Sequence, residues 1–272
     1  MNLFFGMLLT IIGLLVAGSV IECWMEQRDR RRFHAPGKLS RVENRNIHLL
    51  CSGKRCTDEP LILLEAGMAS WSFYWRMVQP GLSNFGRICS YDRFGFGWSD
   101  PPSVKRTPER IATELHQALQ SAGETGPYLL VGHSFGGILV RQFARLYPDE
   151  VTGMVLVDSA HEDQIERMPW ARNETKNIKV FFTLLAVLHR LGILRLIGKS
   201  LLGNFTSLKT EEEKRVFLAA LLASRYFETS RDEGLSLLNP PKREERLVSL
   251  DEKPLIVIQT GGRLNPLRVG TP

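Results

Sequence analysis

The sequence predicts an α/β fold, a mostly parallel sheet with helices on both faces. Three observations predict it. Short apolar runs recur at strand length, amphipathic helical patterns separate them, and one strand–turn–helix step carries Gly132-His133-Ser134-Phe135-Gly136. Uninterrupted apolar strands suit a sheet covered on both sides, as parallel sheets are.

The elements follow in order. Residues 46–51, 60–65 and 87–92 read as three strands, the third ending before Gly95 and Gly97. Thr107 then opens a helix as N-cap, with Pro108 in the first turn and Glu109 beside the positive end of the helix dipole. Ile111, Leu115, Ala118, Leu119 and Ala122 recur on one face, and Gly123 stops it. A strand at 128–131 leads into the turn around Ser134, and a helix runs on to Tyr147-Pro148. Residues 151–157 form the next strand, closing at Asp158.

Residues 161–250 break the alternation with helical patterns at 180–197 and 211–230, and 253–258 resumes the sheet. The middle stretch reads as a helical insert that starts at the carboxyl end of a strand, where open α/β sheets bind ligands. It is therefore expected to form a lid whose apolar underside lines a pocket. The expected organisation is an anchor and basic flank at 1–32, a core at 41–160 and 251–272, and a helical cap at 161–250.

The anchor rests on residues 3–21, an apolar run broken only by small or weakly polar side chains. Its nineteen residues span roughly 28 Å, close to a bilayer core. Arg28, Arg30, Arg31 and Arg32 follow it and no Lys or Arg precedes it, so the positive-inside rule puts the domain in the cytoplasm behind a single pass. A cleaved secretory signal is the alternative. Ala17-Gly18-Ser19 offers small residues for a cut, but a basic n-region is lacking. The net charge of +6 comes without a nucleic-acid motif, so no nucleic-acid partner is expected. Among four cysteines, Cys89 reads as a buried thiol, Cys51 and Cys56 as a pair flanking a loop, reduced in a cytoplasmic domain and able to bridge each other in an exported one, and Cys23 as a membrane-edge residue. The spacing shows no metal site, and no cofactor is expected.

Ser134 is the candidate nucleophile. A sharp turn between strand and helix pushes its hydroxyl into solvent at a helix N-terminus, where free amides favour an anion. Gly132 and Gly136 allow the turn and the close helix–strand packing, and Gly137 gives further room.

Together these residues resemble the α/β-hydrolase superfamily. The 132–137 turn looks like its nucleophile elbow, and Glu65-Ala66-Gly67-Met68 sits where the family has an oxyanion turn. Residues 91–99 resemble its glycine-rich segment, and Val155-Leu156-Val157-Asp158 its strand after the elbow helix. The resemblance covers about residues 41–258. It implies an acyl or related hydrolase with a helical cap, Ser134 as nucleophile, and the N–H groups of Phe135 and Met68 as oxyanion donors, with Ala69 the less favoured second donor. A serine at the elbow argues against aspartate-nucleophile reactions such as epoxide hydrolysis.

The acid and base depart from the family pattern. Residues 254–272 hold no carboxylate, so Asp158 takes the acid position some members use, with a turn-capping role as its alternative. The family's base is a histidine beyond one more strand. Only His161 and His189 follow Ser134, and of these His161 is the candidate base. His133 is expected to turn away from Ser134 and pack on the oxyanion side, while His34, His48 and His116 read as linker, strand and helix-surface residues. A chain shortened relative to the family is the favoured explanation, because strand 255–258 would otherwise lie at an open edge; an inactive member is the other. The expected function is a membrane-anchored hydrolase of an ester or related acyl bond in an apolar small molecule. The alternative is a non-catalytic relative that binds a small apolar ligand or a protein partner.

Overall fold

Among the described residues, seven strands form one sheet in the order β1-β2-β4-β3-β5-β6-β7. The computed structural model describes residues 2–259 apart from 57–58, 203–207, 224 and 248. The tail at 260–272, placed in the core on sequence grounds, lies outside the described residues. The strands are β1 (Lys38–Val42), β2 (Arg45–Ser52), β3 (Leu61–Glu65), β4 (Ile88–Asp92), β5 (Tyr128–His133), β6 (Val151–Val157) and β7 (Leu255–Ile258). β1, β2 and β4 pair antiparallel, and β4, β3, β5, β6 and β7 run parallel.

The helices are α1 (Asn2–Arg32), α2 (Gln79–Leu82), α3 (Pro108–Ala122), α4 (Phe135–Leu146), α5 (Gln164–Arg167), α6 (Pro169–Arg190), α7 (Ile193–Leu202), α8 (Glu211–Leu221) and α9 (Tyr226–Leu238). Helix α3 starts and stops as its sequence dictates. Thr107 Oγ1 accepts the Arg110 N–H at 3.2 Å, and Gly123 closes the helix in the left-handed region at φ 78°. Its apolar stripe, with Val140, Phe143 and Ala144 of α4, packs on Leu61, Leu63, Tyr128 and Leu130 of the sheet. Phe143 stands edge-on to Tyr128 with ring centres 5.6 Å apart.

The helices between β6 and β7 have their own apolar cluster. Trp71, from the loop after β3, and Phe96, from the loop after β4, enter it. Trp71 stacks on Phe217 of α8 at 5.1 Å, and Phe96 meets Tyr226 of α9 edge-on at 5.4 Å. These contacts fasten the helical segment over the carboxyl ends of the strands.

Four local readings change. β1 is a strand although its sequence is too polar to mark one; its alternate residues Ser40 and Val42 are buried. The pattern at 180–197 is split by Gly192, at φ 73°, into α6 and α7. The pattern at 211–230 is also split, into α8 and α9, with Arg225 at φ 71° just before the second. The thiol readings of Cys51 and Cys89 are overturned. These residues face each other in the β2–β4 register and form a disulfide, leaving Cys56 exposed as a free thiol. Among the described residues strand β7 pairs with β6 alone and is half-exposed along its length.

Helix α1 is long and apolar enough to cross a membrane, and its apolar stretch is unburied by the rest of the protein. Its polar end is packed: Arg195 of α7 bonds Glu22 at 2.7 and 2.9 Å and Asp29 at 2.6 Å.

Two substitutions of the full chain in mild detergent test this packing. Phe143→Ala should lower unfolding free energy by about 3–5 kcal/mol, and Thr107→Ala by about 1 kcal/mol, both read from guanidinium denaturation curves.

Candidate active site

Ser134 joins the last residue of β5 to the first of α4, at φ 50° and ψ −122°. That backbone state costs roughly 1–3 kcal/mol for a residue with a side chain and persists only where neighbours impose it. Here they do. Ser134 N–H donates to Val157 O at 3.1 Å, and its carbonyl accepts from Gly137 and Ala160 N–H, both at 2.9 Å. A Cβ at Gly132 would come within 2.7 Å of Gly136 O, and one at Gly136 within 2.4 Å of Glu65 O. The turn is therefore wedged between β3 and β6 and closes only with hydrogen at both positions.

Ser134 is partly exposed and lines a cleft of about 790 Å³. Met68, Phe135, Asp158 and His161 line the same cleft, so the structure brings together every side chain picked out from sequence. Met68 and Phe135 N–H have no acceptor among the described residues, whereas Ala69 N–H donates to Glu233 Oε2 at 3.3 Å. Of the two amides considered for the turn after β3, Met68 is thus the available one. Asp158 has an exposed side chain and φ 45°, and its N–H donates to Ile258 O at 2.7 Å, tying the end of β6 to β7.

His161 sits in a loop that Arg141 of α4 holds through Ala160 O at 3.0 Å and Glu162 Oε2 at 2.7 Å. Its side chain is 56% exposed. Nδ1 accepts the Asp163 N–H at 3.1 Å, which puts the neutral ring's proton on Nε2. In this orientation the ring offers a donor, the wrong tautomer for taking a proton from a hydroxyl through Nε2. His133 is exposed, and its Nδ1 lies 3.1 Å from where a Cβ on Gly67 would stand, on the side of the turn after β3. His48 is fully buried against Asp92 at 2.9 Å, and His116 stacks on Tyr147 at 3.8 Å.

A buried cluster behind the turn after β3 was not picked out from sequence. Arg93, just past β4, donates to Glu65 Oε1 at 2.6 Å, to Glu233 of α9 at 2.6 and 3.1 Å, and to the carbonyls of Ala66, Gly67 and Ser70 at 3.0, 2.7 and 3.2 Å. Tyr91 OH donates to Glu65 Oε2 at 2.5 Å. Tyr226 OH of α9 donates to Ala69 O at 2.8 Å. The partners lie up to 157 positions apart, so no local pattern signals them. The one available clue is an arginine and a glutamate at the ends of apolar strands, where a charge needs a partner.

Two carboxylates share one guanidinium here. Burial pushes the Glu65 carboxyl up to about 7, against the opposing pull of Arg93 and Tyr91. The folded protein holds this proton more tightly than the unfolded chain does. Its stabilising contribution is complete below pH about 4.5 and is lost as pH rises through about 7. Thermal melts of the full chain across that range should show the loss, and Glu65→Gln should flatten it.

Comparison with known proteins agrees with this architecture. The family model for the alpha/beta hydrolase fold matches residues 59–185. An AB hydrolase superfamily protein of Gibberella zeae is 33% identical over 108 residues, covering 38% of this chain and 34% of that protein. A thermophilic esterase from Thermogutta terrifontis superposes with a TM-score of 0.57 at 21% identity, over 81% of this chain and 77% of its own. An epoxide hydrolase from Bacillus megaterium superposes with a TM-score of 0.59 at 18% identity, over 82% of both chains. The chain spans 20%, 41% and 34% of the length of three curated relatives it matches. One fold carries both esterase and epoxide hydrolase, so the fold does not choose the chemistry. The strand order, the turn at Ser134 and these matches lead to one conclusion: the chain carries the alpha/beta hydrolase fold, and its residues 59–185 match the model of that family.

Proposed function

We propose that this chain is a membrane-anchored serine hydrolase that cleaves an ester or related acyl bond through Ser134. The observation that carries the reading is the backbone of Ser134, held at positive φ on a cleft lined also by Met68 and Phe135, whose amides have no acceptor among the described residues. Ser134 Oγ attacks the acyl carbonyl, and the N–H groups of Phe135 and Met68 receive the negative charge that develops on its oxygen. The alcohol leaves, and water then releases the acid from the acyl-serine. An oxyanion donor of this kind is worth about 10²–10³ in rate. Asp158 takes the acid position. The helices between β6 and β7 act as the cap, and Glu233 and Tyr226 of α9 link that cap to the oxyanion turn.

The proton leaving Ser134 needs an acceptor. His161 shares the cleft but serves only after its ring turns away from the Asp163 amide. This favours one alternative, a relative that binds an apolar ligand in the cleft without turning it over. A fluorophosphonate probe on the full chain in membranes separates the two. Labelling that disappears in Ser134→Ala supports the hydrolase, and Glu233→Gln should then slow it by up to about 10²-fold through a displaced turn. No labelling, with a melt shifted upward by a non-hydrolysable apolar ester analogue, supports the binder.

The apolar helix α1 supports anchoring. The flank Arg28–Arg32 favours a cytoplasmic domain, whereas the Cys51–Cys89 bridge suits an oxidising compartment. The protein should stay in the membrane pellet after alkaline carbonate extraction. Protease digestion of sealed right-side-out vesicles spares a domain on the cytoplasmic side and degrades one on the other.

A further inference from the structure

The anchor helix is packed against the rest of the protein at one specific height. A Cβ on Gly18 of α1 would stand 2.3 Å from Leu191 O, and one on Gly192 would stand 2.7 Å from Gly18 O. The turn between α6 and α7 is therefore in backbone contact with α1. Gly18 lies three residues before Ile21, the end of the apolar run, which is only about 4.5 Å along the helix. The Arg195 bonds to Glu22 and Asp29 lock the same junction on its polar side.

The elements that leave this junction carry exposed apolar side chains. Helix α6 packs on α9, yet it leaves Val180, Phe181, Leu184 and Val187 at 49–67% exposure. Their spacing of three and four puts them on one helical face. Leu196 on α7 is 85% exposed, and Ile197 is 45% exposed. Lys176 and Lys179 are also exposed on α6, beside that face. Apolar on one side and basic at its border is the pattern of a helix lying in a membrane interface.

We propose that this face of α6 and α7 rests in the same bilayer that α1 enters, as a second membrane contact. The bilayer is the chosen occupant because the face is continuous, through the Gly18–Leu191 contact, with a helix long and apolar enough to cross a membrane. Helix α6 runs about 33 Å from that contact back to Met168 on the cleft wall. Laid along the membrane surface, it brings the cleft to the interface. With Ser134 as nucleophile (this part rests on the proposed function), the substrate class is a membrane-dissolved ester with a long acyl chain, rather than a freely soluble one.

The test reads lipid contact directly and does not depend on catalysis. Single cysteines replace Phe181, Leu184 or, as the comparison, the exposed Phe85, in a full chain carrying Cys23→Ser and Cys56→Ser. Each is labelled with an environment-sensitive nitrobenzoxadiazole and reconstituted in phosphatidylcholine–phosphatidylglycerol vesicles with or without brominated acyl chains. Labels at 181 and 184 should lose roughly half their emission or more to brominated lipid, while the label at 85 keeps its own. Labels at 181 and 184 as water-exposed as that at 85 overturn the proposal. So does shielding that brominated lipid does not quench, which would mean that a second copy covers the face. Quenching without any Ser134 labelling keeps the membrane contact and removes the assigned substrate.

Discussion

The guanidinium of Arg93 is the interaction on which the arrangement around the cleft depends. It is taken out of water together with Glu65 and Glu233, and each ion loses several kcal/mol of solvation. Such a group is tolerable only when its donors are all used. Here they reach two carboxylates and three carbonyls, and those carbonyls belong to the turn after β3. One side chain thus joins the ends of two strands, the segment beside Ser134 and a helix from the insert. Met68 lines the cleft and its amide has no acceptor among the described residues, whereas the next amide, Ala69, is held by Glu233.

The inserted helices are in this way coupled to the turn beside Ser134. Glu233 and Tyr226 come from α9 and bond the turn after β3. Trp71 and Phe96 come from the sheet side and enter the apolar cluster of the insert. Polar and apolar contacts run in opposite directions across the same boundary. A shift of the insert would move the turn, and the buried ions would resist it.

Much of the fold was legible in the sequence because its signals are local. The apolar runs of β3, β4, β5 and β6, the Thr107 cap and the Gly123 stop are each set within a few residues. The turn at Ser134 was legible for the same reason: small residues on both sides of a serine between a strand and a helix have few other uses. What escaped was set by partners distant in the chain. β1 is polar and takes its conformation from β2. The Cys51–Cys89 bridge depends on the β2–β4 register, which neither cysteine's neighbours reveal. Arg93 and Glu233 meet only once α9 is in place. His161 was legible as a resident of the cleft, but its tautomer follows from one backbone amide that no pattern encodes.

The glycines flanking Ser134 carry a lesson for how this chain tolerates change over generations. Every missense codon at 132 or 136 adds at least a methyl group, and that atom collides with main-chain oxygen at 2.7 or 2.4 Å. Backbone cannot step aside as a flexible side chain would. Selection for mere folding is therefore enough to preserve both positions, even in a lineage whose serine had lost its chemical use. Their persistence records the architecture of the bend, and only the hydroxyl between them can record the reaction.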